Sequence, residues 1–148
     1  MNRRIGRLIS ILYRKNQMFL AQALKPYEVT SAEYPLLITL NDGDGVTQEE
    51  LVGRLTMDKS AVARALQTLV EKDFVLKNKD AKDQRSNRIY LTEKGRDVYS
   101  SIEKVLNELN EILMKDINIE KQEEIYSLLS QMVENHKDTI EKNSNRQL

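Results

Sequence analysis

The segment from Thr47 to Gly95 constrains this chain most, because two helix starts, a strand pair and a third helix start follow one another without a break. Thr47-Gln48-Glu49-Glu50 has the form of a capping box, in which the Thr47 hydroxyl and the Glu50 carboxylate each take the other residue's amide. A short helix to about Leu55 follows. Thr56-Met57-Asp58 then makes a turn, and Asp58 is suited to cap a helix running from Lys59 to about Lys72. The pair reads as a helix-turn-helix. Phe74–Lys77 and Arg88–Leu91 are rich in β-branched and aromatic residues, with mostly charged and turn-forming types between them. They read as two strands of a hairpin. The intervening loop, with Lys79, Asp80, Lys82, Asp83 and Arg85, must project into water or against a polyanion.

In the second helix Val62, Ala65, Leu66, Leu69 and Val70 fall at helical spacing and form a stripe that packs inward. The opposite face carries Lys59, Ser60, Ala63, Arg64, Gln67 and Thr68, with no acidic residue before Glu71. Small residues there permit close approach, and the others are donors and acceptors suited to base edges and phosphates. An ordinary solvated helix would account for the stripe alone. Charge argues for more. Residues 59–96 hold ten basic and five acidic side chains in a protein with 23 of each, while residues 37–58 and 97–148 are net acidic. A basic block centred on a helix and hairpin is an electrostatic footprint for phosphates.

Asp58-Lys59-Ser60-Ala61-Val62-Ala63-Arg64-Ala65-Leu66, Leu69-Val70-Glu71-Lys72, Asp83-Gln84-Arg85-Ser86 and Leu91-Thr92-Glu93-Lys94-Gly95, in that order and at those separations, resemble the winged-helix core of the MarR family of bacterial transcription regulators. The resemblance implies that the second helix enters the major groove of double-stranded DNA and that the wing arginine reaches the adjacent minor groove. Carried over, DNA contact falls to Lys59, Ser60, Arg64, Gln67 and Thr68 in the helix and to Lys82, Asp83, Arg85 and Arg88 in the wing. Asp83 would brace the wing by pairing with an arginine, most simply Arg85. Where the family usually has glycine, this chain has Asp73, which must take a left-handed turn at some cost. Lys77 stands where arginine is common and Ala81 where proline is common.

The remaining helices are long and apolar. Arg3 to Lys25 carries Ile5, Leu8, Ile9, Leu12, Phe19 and Leu24 on one face, and Pro26 stops it. Thr30-Ser31-Ala32-Glu33 reads as a second capping box, opening a helix through Leu36, Leu37 and Leu40, with Pro35 kinking its start. After Thr92 a helix of about 24 residues shows Val98, Ile102, Val105, Leu106, Leu109, Ile112 and Leu113. A last helix, about Glu120 to Lys142, shows Ile125, Leu128, Leu129, Met132, Val133 and Ile140. The winged core is too small to cover rods of roughly 35 Å, so a second copy of the chain is the expected cover. The resemblance agrees, placing the homodimer contact on Ile5, Leu8, Ile9 and Leu12 of the first helix and Ile125, Leu128, Leu129 and Met132 of the last. Two-fold symmetry then spaces the groove-entering helices by about one DNA turn, roughly 34 Å, on a palindromic operator.

The expected fold is mainly α (α+β): a winged helix-turn-helix core with a two-stranded wing, flanked by long N- and C-terminal dimerisation helices. A single domain spans 1–148, with the DNA-binding lobe at about 30–96, the helical dimerisation region at about 1–28 and 97–142, and a flexible tail at 143–148. There is no cysteine, hence no disulfide and no thiol redox sensor. The lone His136 has no second histidine to share a metal, and nothing in the spacing of Gly, Ser, His or carboxylates resembles a phosphate loop or a nucleophile with its base. Neither cofactor, metal nor enzymatic activity is expected. With no run of 18 apolar residues and no signal-like N-terminus, the expected location is cytoplasmic. The resemblance further implies a small phenolic or aromatic ligand in a crevice between the dimer base and the winged helix, drawing on the first, second and fifth helices, with Tyr13, Phe19, Tyr34 and Tyr99 as candidate lining. The alternative function is a winged-helix protein-interaction module, which would call for an apolar or acidic face in place of Lys59, Arg64 and Gln67.

Overall fold

The computed structural model describes residues 3–137 and Thr139. Among these residues it contains helices α1 (Ile5–Ala23), α2 (Tyr34–Asp42), α3 (Gln48–Arg54), α4 (Lys59–Glu71), α5 (Glu93–Leu113) and α6 (Ile119–His136), with strands β1 (Val46–Thr47), β2 (Val75–Lys79) and β3 (Asn87–Leu91). This is the mainly α winged helix-turn-helix expected from the sequence. No helix among the described residues is long and apolar enough to cross a membrane.

Local chemistry sets most boundaries. At α3 the Glu50 amide donates to Thr47 Oγ1 at 3.1 Å and the Thr47 amide donates to the Glu50 carboxylate at 3.2 Å, completing the box. Asp58 accepts from the Ala61 amide at 2.9 Å and starts α4. The first helix is shorter than expected. The Leu24 amide returns to Leu20 as the cap of α1, and Pro26 lies in the first turn of a separate 3-10 helix, Lys25–Tyr27, where a missing amide is harmless. The second capping box also needs correction. The Thr30 amide does donate to the Glu33 carboxylate, but the Glu33 amide goes to the Thr30 carbonyl. The helix therefore begins at Tyr34, and Pro35 sits in its first turn, where the ring is tolerated.

The wing is the expected hairpin, with Val75 opposite Leu91 and Lys79 opposite Asn87. Sequence reading missed a third strand. β1 pairs antiparallel with β3 through Val46↔Ile89 and Thr47↔Arg88, giving the order β1-β3-β2. Gly45 makes that pairing possible. Its φ of 75° aims its amide at the Ile89 carbonyl, 2.7 Å away, and a Cβ would lie 3.1 Å from the Tyr90 ring.

Val62, Ala65, Leu66 and Leu69 of α4 are buried with Leu36, Leu37 and Leu40 of α2, Leu51 of α3 and Ile89 of β3. Leu20 and Leu24 from the end of α1 and just beyond it, and Ile102 and Val105 of α5, join the same core. Val70, placed in the stripe from sequence, is instead 37% exposed. The helix end explains why: Asp73 takes φ 63°, its amide returns to Val70, and the Phe74 amide returns to Leu69 at 3.0 Å. That is a Schellman motif with aspartate where glycine is usual, and it buries Phe74 beside Leu69.

Leu91-Thr92-Glu93-Lys94-Gly95 locks this turn to α5. The Thr92 hydroxyl donates to the Asp73 carbonyl at 2.6 Å and accepts from the Gly95 amide at 3.0 Å. Lys94 donates to the Lys72 carbonyl at 3.0 Å, with its ammonium 5.1 Å from the Phe74 ring centroid. A cation on the last carbonyls of α4 complements the helix dipole.

The chain divides into two units between Leu109 and Asn110. In the second, Asn118 caps α6 by accepting from the Lys121 amide at 2.9 Å, and Gln122 donates to the Ile117 carbonyl at 2.7 Å. No residue of α6 is buried, and Leu128, Leu129 and Met132 are exposed while Ile125 is half-buried. The expected continuation to Lys142, with Ile140, and the tail Asn143–Leu148 lie outside the described residues.

Candidate nucleic-acid interface

Packing of the buried stripe turns the other face of α4 outward. Lys59, Ser60, Arg64 and Gln67 are exposed on it, with Ala63 half-buried between them. The Ala61 amide holds the Asp58 carboxyl below the usual aspartate range, with Ser60 and Arg64 adding to the effect, so the first turn of α4 is firmly capped. Gln67 Nε2 reaches Glu71 at 3.4 Å, a long contact that leaves the amide available to other partners. Thr68 has a partner within the fold. It is half-buried, and its hydroxyl donates to the buried Glu33 carboxylate at 2.6 Å, so that group is committed within the fold.

The wing tip is built from two aspartate turns. Asp80 accepts from the Lys82 amide and Asp83 from the Arg85 amide, both at 3.0 Å, while Ser86 Oγ donates to Asp83 at 3.3 Å. The expected Asp83–Arg85 ion pair is therefore absent: Asp83 braces the loop through a backbone amide and a hydroxyl. Among the described residues no carboxylate takes the Arg85 guanidinium. Lys82, Asp83 and Arg85 are all exposed.

Arg88 also has partners within the fold. Its Nε donates to Asp80 at 3.0 Å and its Nη1 to the Gly45 carbonyl at 2.7 Å, so it is the brace of the wing and not a free cation. The Lys82 amide, with help from Arg88, holds the Asp80 carboxyl below its ordinary value. The loop that Arg88 docks on is itself pinned. Asp44 accepts from the Leu91 amide at 3.1 Å and from Arg96 at 3.0 Å, and Arg54 donates to the Gly43 carbonyl at 3.2 Å. These bonds span from 11 to 52 residues along the chain, and neither charge pattern nor periodicity announces them. Asp80→Ala is expected to weaken DNA binding even though it removes a negative charge, because a loosened wing must be ordered on the DNA. A gain in affinity in a filter-binding titration would make Asp80 a simple repulsive charge.

Glu33, read from sequence only as a cap, is buried at 3% exposure. Burial pushes its carboxyl up, but the Thr68 hydroxyl, the Lys72 ammonium and the Thr30 amide outweigh that and hold it below the ordinary glutamate range. A depressed folded-state value means the stabilisation is fully present above the unfolded-state pKa and is lost as pH falls through the folded one. In urea unfolding, the stability gap between wild type and Glu33→Gln should therefore shrink on acidification; a gap independent of pH would show that the carboxylate is not ionised in the native state.

A crevice of about 490 Å³ lies in the first unit, lined by Tyr13, Gln17, Tyr34, Arg54, Thr56 and Met57 among others. Two of the four aromatic candidates line it. Phe19 packs instead against the core, and Tyr99, half-buried on α5, is not among the lining residues. Burial, and then the neighbouring Tyr13, raise the Tyr34 hydroxyl above its ordinary value. Arg54 was not foreseen, because its place in the lining depends on how the end of α3 meets α1 and α2. No group of three or more His, Cys, Asp or Glu among the described residues could hold a metal ion.

A capped helix pair whose second member turns a basic face outward beside a braced β-wing defines a winged helix-turn-helix protein. The MarR family model matches residues 29–86, the stretch from the turn before α2 to the wing tip. A MarR transcriptional regulator from Methanosarcina mazei Go1 superposes with a TM-score of 0.86 at 38% identity, covering 91% of this chain and 97% of that one. The chain belongs to the MarR family. The HTH-type transcriptional regulator SarZ of Staphylococcus epidermidis is 28% identical over 123 residues, 80% of each protein. A mutant MarR from E. coli complexed with operator DNA matches at 25% identity and a TM-score of 0.79, over 87% of this chain and 93% of that one.

Proposed function

We infer that the protein is a sequence-specific, double-stranded-DNA-binding transcription regulator. The observation that carries this is the exposed, acid-free face of α4, with Lys59, Ser60, Arg64 and Gln67, standing beside a braced wing that leaves Arg85 unpaired. Similarity to a protein solved with operator DNA supports the same reading, and an interaction module would not need these cations. The groove contacts are Lys59, Ser60, Arg64 and Gln67 from the helix and Lys82 and Arg85 from the wing. Thr68, Asp83 and Arg88 hold that surface in place. Residues 30–96 form the DNA-binding lobe, and the protein works in the cytoplasm without catalysis.

It acts as a homodimer. Ile5, Leu8, Ile9 and Leu12 of α1 are between 42% and 57% exposed, and Leu128, Leu129 and Met132 of α6 between 36% and 52%. Contiguous apolar faces of this kind mark association surfaces, and a second copy that buries them sets two recognition helices on a palindrome. As a repressor its operator overlaps a promoter. A phenolic or aromatic carboxylate fits the crevice, with Tyr13 and Tyr34 supplying ring faces and Arg54 a carboxylate partner. Such a ligand releases DNA if it binds the DNA-incompetent arrangement better.

Selecting bound sites from genomic fragments tests the reading. Enriched palindromes are expected, whereas no enrichment would favour the interaction module. On the enriched site Arg64→Ala and Gln67→Ala should each cost roughly 1–3 kcal/mol and relax preference at particular base pairs. Arg85→Ala should weaken specific and nonspecific DNA more evenly and lower the slope of log affinity against log salt by about 2 per dimer. An unchanged salt slope would take the wing off the DNA.

A further inference from the structure

We propose that Glu33 is a positioning residue for DNA recognition: anchored in the turn before α2, it fixes the tilt and rotation of α4 and so sets sequence discrimination. The proposal rests on α4 being the groove-entering helix and assigns what holds that helix at its working angle.

Glu33 is the one buried charged side chain among the described residues. Both its oxygens are engaged across the fold. Oε2 accepts from the Thr30 amide at 3.0 Å, Oε1 from the Thr68 hydroxyl at 2.6 Å, and the Lys72 ammonium lies 2.9 Å from each. Lys72 is held further by the Glu28 carbonyl at 2.8 Å, which the left-handed conformation of Glu28 helps present. The carboxylate thus ties residues 28–33 to the C-terminal half of α4, 35 and 39 residues away.

Geometry makes this more than a stabilising pair. Thr68 and Lys72 stand one helical turn apart, so two attachments to one rigid carboxylate restrain both rotation about the axis of α4 and its tilt. Thr68 also lies one turn beyond Arg64 and next to Gln67, half-buried at the edge of the surface offered to the groove. A well-packed apolar trio could match a buried ion pair in stability. What charge-assisted bonds of this length add is definition, and a site that reads base edges must hold its side chains to within about 0.5 Å.

Electrostatics and positioning predict opposite signs. Removing an acidic charge near a phosphate-binding surface should leave nonspecific binding equal or stronger. Loss of the strut should lower operator binding. The full-length Glu33→Gln, Thr68→Val and Thr68→Ser variants are titrated with an operator from the genomic selection and with unrelated DNA of equal length at one salt concentration. Thermal unfolding confirms that each is folded at the assay temperature. Glu33→Gln is expected to reduce the ratio of operator to nonspecific affinity about tenfold. Thr68→Val, which removes one hydroxyl and no charge, should reduce the same ratio, and Thr68→Ser should restore it. Thr68 also keeps the test open should Glu33→Gln not fold. If wild type discriminates and the folded variants discriminate equally well, the positioning role is overturned. If wild type itself prefers no sequence, the DNA reading has failed and this proposal falls with it.

Discussion

Leu128→Glu is expected to turn a dimer into a monomer and to lower operator affinity by at least about a hundredfold. In the single chain Leu128 is 52% exposed and Leu129, next to it, 47%. A second copy that buries this face would enclose the new carboxylate, and a buried charge left uncompensated costs about 3–5 kcal/mol. Two-fold symmetry applies the penalty twice per dimer. The separated monomers keep one α4 and one wing each, so they bind half-sites without the gain from simultaneous engagement. Leu128→Met, similar in volume and apolar, should leave assembly intact. Sedimentation velocity and operator titration read both effects. An unchanged dimer for Leu128→Glu and also for Leu8→Glu would remove the interface.

Gly95→Ala should destabilise the fold by roughly 3 kcal/mol. Helix propensity alone predicts the opposite sign, a gain of up to about 1 kcal/mol for alanine over glycine. Contact decides. A Cβ on Gly95 would overlap the Phe74 carbonyl oxygen and press on Leu91. That carbonyl cannot easily retreat, because it accepts the Thr92 amide at 3.1 Å and belongs to the turn that closes α4. Gly53 in α3 is the internal control: nothing stands within 4 Å of a Cβ there, so Gly53→Ala should be neutral or stabilising. Urea unfolding of the two variants separates crowding from propensity. Equal stabilities would mean that the start of α5 moves away from Phe74 at little cost.

Legibility in the sequence followed the range of the interaction. Thr47 with Glu50, and Asp58 with Ala61, are contacts three residues apart, and the residue types that cap helices are few enough to read directly. The stripe Val62, Ala65, Leu66 and Leu69 was equally plain, because burial on a helix repeats with its turn. Val70 failed the same rule. At the last turn of α4 the left-handed Asp73 redirects the chain, and a side chain at stripe spacing faces water. β1 was invisible for another reason: two residues cannot display an alternating pattern, and only the positive φ of Gly45 brings them beside Ile89 and Arg88.

Site residues divide along the same line. Exposure of Lys59, Arg64 and Gln67 could be inferred from sequence, since the opposite face had to be buried. Which polar residues stay free for DNA could not. Thr68, Arg88 and Asp83 have the composition of contact residues, yet Glu33, Asp80 with the Gly45 carbonyl, and the Arg85 amide claim their polar atoms. Sequence by itself determined the class of fold, the helix-turn-helix register and the basic face, because capping, periodicity and charge are local or additive properties of residue types. The tertiary structure alone decided which cations are braces and which are free, where a crevice opens beside Tyr13, Tyr34 and Arg54, and that a single buried glutamate ties α4 to the turn before α2. Those outcomes rest on hydrogen bonds between residues tens of positions apart, whose partners are chosen by how the packed core brings the chain together.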